Sequence, residues 1–175
     1  ISSGNNALTL TTGALSASAG LNTITMGTGA DDITIGVNSS SAITAALSTG
    51  NDSVVATNYT GVLTVTADVD SITAADTITG GAGTADVLSL SAQTTDGTGL
   101  TAAELNGVTG FEKYETSDNT AIDIVVDNTN VASGKTLTVD FTTLTTAVGD
   151  FDASAVTTAG GTVDITAGGT GAHQI

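Results

Sequence analysis

Residues 22–36 read NTITMGTGADDITIG, and the order of their parts decides the fold. Asn22 leads into Thr23-Ile24-Thr25, a turn runs through Gly27 and Gly29, and Asp31-Asp32 leads into Ile33-Thr34. Both the polar position and the isoleucine therefore recur after nine residues. One step back, Gly13-Ala14-Leu15-Ser16 keeps the apolar position and loses the polar one. In a strand, alternate side chains face opposite sides, so each isoleucine points inward and its threonine neighbours point out. Glycine supplies the positive φ that a tight corner needs. The unit is a corner plus a short strand, and repeated units stack into a coil.

The same unit can be followed along the chain. LSTGNDSVV (47–55) carries Gly50 and Asp52, and Asp70-Ser71-Ile72-Thr73 lies two units of nine further on, with Gly61-Val62-Leu63 at the step between. Asp76-Thr77-Ile78-Thr79 and the turn GGAGTADVLSL (80–90), with Gly81, Gly83 and Asp86, close this Asp- and Gly-punctuated part. From about residue 91 the texture changes. TTDGTG (94–99) reads as a loop, and Thr101-Ala-Ala-Glu104 is a capping box that predicts a short helix near 101–106, closed by Asn106-Gly107. FEKYETS, AIDIVVD, KTLTVDFTTL, AVGDFDASAV and GTVDITAG then show the period-two alternation of strands. The expectation is an all-β chain, a right-handed parallel β-solenoid with one short helix. Corner repeats suited to calcium occupy 1–90, and further solenoid repeats occupy 91–175. GGTGAHQI (168–175) begins another unit with His173 in the place of Asp, so the sequence reads as a piece of a longer protein.

Composition agrees with a thin, layered core. Aromatic residues make up 3% of the 175, hydrophobic residues 39%, and proline and cysteine are absent, so corners fall to Gly, Asn and Asp and no disulfide or thiolate site exists. Two lysines, Lys113 and Lys135, face 15 Asp and 3 Glu, for a formal net charge of −16. Such a surface repels nucleic acid and anionic membranes, and its own lysines cannot neutralise it. The excess of Asp over Glu points to Ca²⁺, a hard cation that takes short carboxylates and backbone carbonyls. The competing reading is that Asp31, Asp52, Asp70, Asp76 and Asp86 are turn-forming residues with no ion.

Enzymatic signatures are missing. There is one histidine, no G-x-S-x-G elbow, and no lysine in the glycine turns to make a P-loop. Thr-x-Thr rows also occur on ice-binding solenoids, but read along the chain they keep no constant register. Asp123, Asp127, Asp140 and Asp164 read as solvated strand faces.

The glycine motifs resemble a known family. Gly-Gly-x-Gly-x-Asp-x-aliphatic-x is the repeat of RTX calcium-binding β-rolls, and MGTGADDIT (26–34), LSTGNDSVV (47–55) and GGTGAHQI are similar to it with departures. GGAGTADVL, GVTGFEKYE (107–115) and FDASAV (151–156) resemble phrases of RTX-type bacterial surface-layer (S-layer) proteins. The resemblance implies structural Ca²⁺ between stacked corners, with Asp31, Asp52 and Asp70 as side-chain ligands and Gly27 and Gly29 lending carbonyls. Asp32, Asp76, Asp86, Gly81 and Gly83 are further candidates, Asp86 standing one residue beyond the motif spacing. It also implies type I secretion, an extracellular place on the bacterial cell surface, and self-assembly into a calcium-stabilised two-dimensional lattice, anchored through another region to cell-surface polysaccharide. On that basis folding is expected to be coupled to calcium. An RTX adhesin or biofilm-matrix segment is the alternative.

Overall fold

The computed structural model describes residues 4–10, 22–36, 41–91, 99–157 and 159–168. Along them the chain passes back and forth between two faces. Strands β1 (Asn6–Leu10), β3 (Asp31–Ile35), β5 (Ser53–Val55), β7 (Thr77–Thr79) and β9 (Val108–Thr109) form a 5-stranded sheet in that order. The intervening strands form a 7-stranded sheet: β2 (Asn22–Thr25), β4 (Ile43–Ala46), β6 (Leu63–Asp68), β8 (Val87–Ser91), β10 (Lys113–Thr116), β12 (Thr136–Phe141) and β14 (Thr162–Ala167). Two further strands, β11 (Ile122–Asp127) and β13 (Gly149–Ala155), pair with each other. Every pairing is parallel and joins strands alternate in sequence. Over the described residues the protein is a parallel β-solenoid of about six turns with almost no helix. The strand segments expected between residues 111 and 167 are all present.

Register explains why a sequence so poor in aromatics has a core. Ile24, Ala45, Val65, Leu88, Tyr114, Val139 and Ile165 follow one another in a single inward column of the larger sheet. Leu8, Ile33, Val54, Ile78 and Val108 form the facing column of the smaller one. Coils stack at the interstrand spacing of about 4.8 Å, so each aliphatic lies against its equivalents above and below. The interior members are buried, while Leu8, Ile24, Val163 and Ile165, toward the two ends of the described stack, are only partly covered.

The nine-residue step has a different meaning from the one expected. It joins Asn22 at the start of β2 to Asp31 at the start of β3, and so crosses from one face to the other. The next coil brings the same corner back 21 residues after Asp31, at Asp52, and the one after that 24 residues later, at Asp76. Connections vary in length, so a uniform step of nine does not persist.

Three other expectations are refined. The capping box forms: the Thr101 amide and hydroxyl both donate to Glu104 Oε2 at 2.8 Å, and the Glu104 amide donates to Thr101 Oγ1 at 3.3 Å. The helix it opens is a 3-10 turn, Glu104–Gly107, and Val69–Ser71 is a second that the sequence reading did not foresee. The threonine rows do hold register locally, since Thr23, Thr44 and Thr64 share one outward column. The repeat step at 13–16, the loop at 94–98 and the unit with His173 lie outside the described residues.

Candidate functional site

A solenoid corner leaves main-chain amides that no strand neighbour can satisfy, and buried donors of this kind must be met by something. Here carboxylates meet them. Asp31 Oδ1 accepts from the Asn6 amide at 3.0 Å and the Asn6 side chain at 2.7 Å, Asp52 Oδ1 from the Asp31 amide at 3.1 Å, and Asp76 Oδ1 from the Asp52 amide at 2.6 Å. Asp31 and Asp52 thus cap the coil before them and have their own amides capped by the coil after, while the Asp76 amide donates within its own corner to the Thr73 carbonyl at 3.1 Å. The second oxygen turns back to its own corner: Gly27 donates to Asp31 Oδ2 at 3.0 Å, and the Thr73 amide and hydroxyl donate to Asp76 Oδ2 at 2.6 and 3.1 Å. All three side chains are buried, at 1, 1 and 2% exposure. Asp52 Oδ2 is the exception, enclosed and without a hydrogen bond.

The glycines of this corner stack as closely as the aspartates. Gly4 donates to the Thr28 carbonyl at 2.7 Å and Gly29 to the Thr49 carbonyl at 3.0 Å. Gly29 and Gly50 have φ of 121° and 151°, and a side chain on Gly50 would run into the Gly29 carbonyl oxygen.

A second column stands where the chain enters the larger sheet. Asp86 Oδ1 accepts from the Leu63 amide at 2.8 Å and Oδ2 from the Gly81 amide at 2.6 Å. The Asp86 amide donates in turn to Glu112 Oε2 at 3.0 Å. Glu112 was not among the residues singled out from the sequence. Its signal was there, an acid immediately before the strand KYET, but on a side chain one methylene longer and outside any glycine motif.

Toward the other end an amide replaces the carboxylates. Asn130, 4% exposed, donates through Nδ2 to the Leu105 and Val108 carbonyls at 2.9 Å each and accepts from the Asp127 amide at 3.0 Å. Asn119 and Asn128 bind the next coil in the same manner, Asn119 Oδ1 accepting from the Thr146 amide at 3.0 Å and Asn128 Oδ1 from the Thr157 amide at 2.7 Å.

Electrostatics follow from this placement. Desolvation pushes the carboxyl of Asp52 above its ordinary value against the Asp31 amide, with Asp76 and Asp31 adding repulsion. Desolvation also raises Asp86, opposed by the Leu63 and Gly81 amides, and Glu112, opposed by the Asp86 amide. On the outer face of the larger sheet, Lys113 Nζ lies 2.8 Å from both Glu115 Oε2 and Asp140 Oδ2. Burial works to raise Asp140, but the Lys113 and Thr142 bonds outweigh it and hold the carboxyl at about 2. Asp123 and Asp150 are register neighbours on β11 and β13; desolvation, and then repulsion from Asp150, raise the Asp123 carboxyl.

The aspartates expected to bind calcium are therefore split among several places. Asp31, Asp52 and Asp76 form one column, Asp86 belongs to the other, Asp32 is exposed on the outward face of β3, and Asp70 lies in the Val69–Ser71 turn, its amide donating to Asp68 Oδ1 at 3.0 Å. From Asp52 the coil step leads to Asp76 and not to Asp70. Gly27 and Gly81 offer the aspartates amides. Gly83 packs against the preceding coil, where an added Cβ would lie 2.9 Å from the Gly61 carbonyl oxygen. Calcium takes six to eight converging oxygens. Among the described residues no three acidic or histidine side chains gather to hold a metal, and the oxygens of Asp31, Asp76 and Asp86 already accept N–H donors. As arranged, these corners fit amide capping and do not fit a calcium cradle.

Comparison with family models, with curated proteins and with solved structures finds no match to this chain.

Proposed function

We propose that this chain is a structural segment of an extracellular bacterial surface layer, whose work is mechanical: a stiff, acidic rod that associates with copies of itself. What supports this reading is that the described chain forms one continuous stack, each coil bound to the next through main-chain bonds and buried corner side chains. Stacked coils of this kind give a rod whose length grows with the number of repeats and whose faces are available for lateral contact. At −16 such rods repel one another, so association needs a counter-ion. Ca²⁺ has that role in this proposal, bound between rods by outward acids such as Asp32, while the amide-capped corners fold without it.

The test separates folding from assembly. Circular dichroism in excess chelator should already show complete β-structure, and light scattering and electron microscopy should show sheets only after Ca²⁺ is added, with Mg²⁺ as control. A coil-to-β transition on adding Ca²⁺ would return calcium to the corners. Rods that stay monomeric at all calcium concentrations would favour the adhesin or biofilm-matrix segment.

A further inference from the structure

Three successive corners on the side of Asp86 differ in length. The connection from β7 to β8 is residues 80–86 and that from β11 to β12 is 128–135, but the connection from β9 to β10 is residues 110–112 alone. A short corner between two long ones leaves a notch, and a cavity of about 190 Å³ lies there. Gly81 and Gly83 line it from the preceding coil, Val131 and Lys135 from the following one, and Phe111 and Glu112 from the short corner itself.

We propose that this notch binds a single sugar ring, a neutral hexose or N-acetylhexosamine unit of a glycan. Its volume is below the roughly 300–1,000 Å³ of pockets for drug-sized ligands and suits one six-membered ring. Asn130 and Thr136 in its lining are already hydrogen-bonded, and the capacity left for a ligand lies on two charged side chains. Glu112 uses Oε2 for the Asp86 amide and leaves Oε1 to accept from a ligand, and the Lys135 ammonium makes no ion pair among the described residues, unlike Lys113. Phe111, 5% exposed, and Val131 and Leu137, 1% exposed each, make only the floor of the notch, and the Glu112 and Lys135 side chains at its rim match the hydroxyls of a pyranose. The opposite charges offset each other locally, and the net −16 disfavours an anionic ligand. Desolvation of the Glu112 carboxyl lowers what a hydroxyl must displace to reach it. The inference stands apart from the lattice reading, because it concerns one notch and not how copies associate.

Amide-detected NMR titration of the folded chain tests it, with glucose, galactose, mannose and N-acetylglucosamine as separate probes and glycine and glutamate as controls. At least one sugar should give saturable shifts centred on Gly81, Gly110 and Glu112. Glu112→Gln keeps a carbonyl for the Asp86 amide and should weaken binding roughly tenfold. Ala132→Trp, at an exposed position lining the notch, should abolish binding with melting unchanged. No saturable shift with any of the four sugars overturns the proposal. So does sugar binding that survives both substitutions, or saturation by the amino acids alone, which would make the notch a zwitterion site.

Discussion

The corners leading into β3, β5 and β7 and the corner between β11 and β12 face the same difficulty and meet it with different chemistry. The first set uses buried carboxylates, Asp31 and Asp76 each capping amides of two coils and Asp52 an amide of the coil before it. The second uses Asn130, whose neutral amide serves two carbonyls and one N–H at once. A carboxylate can only accept, so it suits corners whose unmet groups are amides; an asparagine suits a corner with unmet groups of both kinds. The difference shows that amide capping is the constant requirement and charge is optional. It also places much of the titration-sensitive stability at the acid corners.

The largest effects should come from removing a cap. Asp76→Ala leaves the Asp52 amide and the Thr73 amide and hydroxyl without acceptors in a site 2% exposed. At about 1–3 kcal/mol per unmet donor, with some recovery by the Thr73 hydroxyl, the loss should be about 3–5 kcal/mol in a urea melt. Asn130→Ala strands two carbonyls and one amide, and carbonyls tolerate lost partners better, so about 2–4 kcal/mol is expected. The reverse order would mean that the carboxylate corners are solvated and would break the comparison.

Backbone closeness gives the next contrast. Gly50→Ala forces a methyl against the Gly29 carbonyl at φ 151° and should cost about 3 kcal/mol, whereas Gly134→Ala at φ 70° meets nothing within 4 Å and should cost about 1 kcal/mol. Thermal melting of both variants checks the pair. Equal losses would show that the first corners can spread apart as freely as the later one.

These contrasts also mark how far the residues could be read without coordinates. Thr-Ile-Thr and IDIVVD alternate, and alternation alone places Ile24, Ile33 and Ile124 inward, so fold class and most strands were legible. The corner aspartates were legible as a set but not in their grouping. The run 52, 61, 70 keeps a step of nine, yet coil length is set by corners of variable length, and the true successor of Asp52 is Asp76. Whether an Asp oxygen faces an amide or a cation depends on which way the neighbouring coil's peptide turns, and residue type does not carry that. Glu112 and Asn130 escaped because each does an aspartate's work with another side chain.

Acidification should separate corners from faces. Asp52 and Asp86 have folded pKa values above their unfolded ones, so the stability they contribute is fully present below the unfolded value and lost as pH rises through the folded one. Lowering the pH from about 7 to about 4 should therefore raise Tm by a few degrees, and easing of the net −16 acts in the same direction. Asp140 runs the other way: held at about 2, it stabilises above its ordinary value of 3.8 and that contribution fades as pH falls toward 2. Tm should pass through a maximum in the carboxylate range, and Asp52→Asn should flatten its neutral side. A Tm that falls steadily from neutral pH would show that the corner carboxylates are not strained by burial.

The smallest effect should come from the ion-pair cluster around Lys113. Lys113 binds Glu115 and Asp140 at 2.8 Å each, but the three side chains keep 32, 31 and 23% of their surface exposed, so solvent screens the attraction. Lys113→Met preserves the packed stem and removes the charge, and the loss should stay below about 1 kcal/mol. Its clearer mark is on the acid side of the Tm profile. Without the ammonium the Asp140 carboxyl rises toward its ordinary value, and the low-pH decline should begin at higher pH. A loss well above 1 kcal/mol at neutral pH would mean that the cluster holds coils together as the buried corners do, and the division between structural corners and solvated faces would fail there.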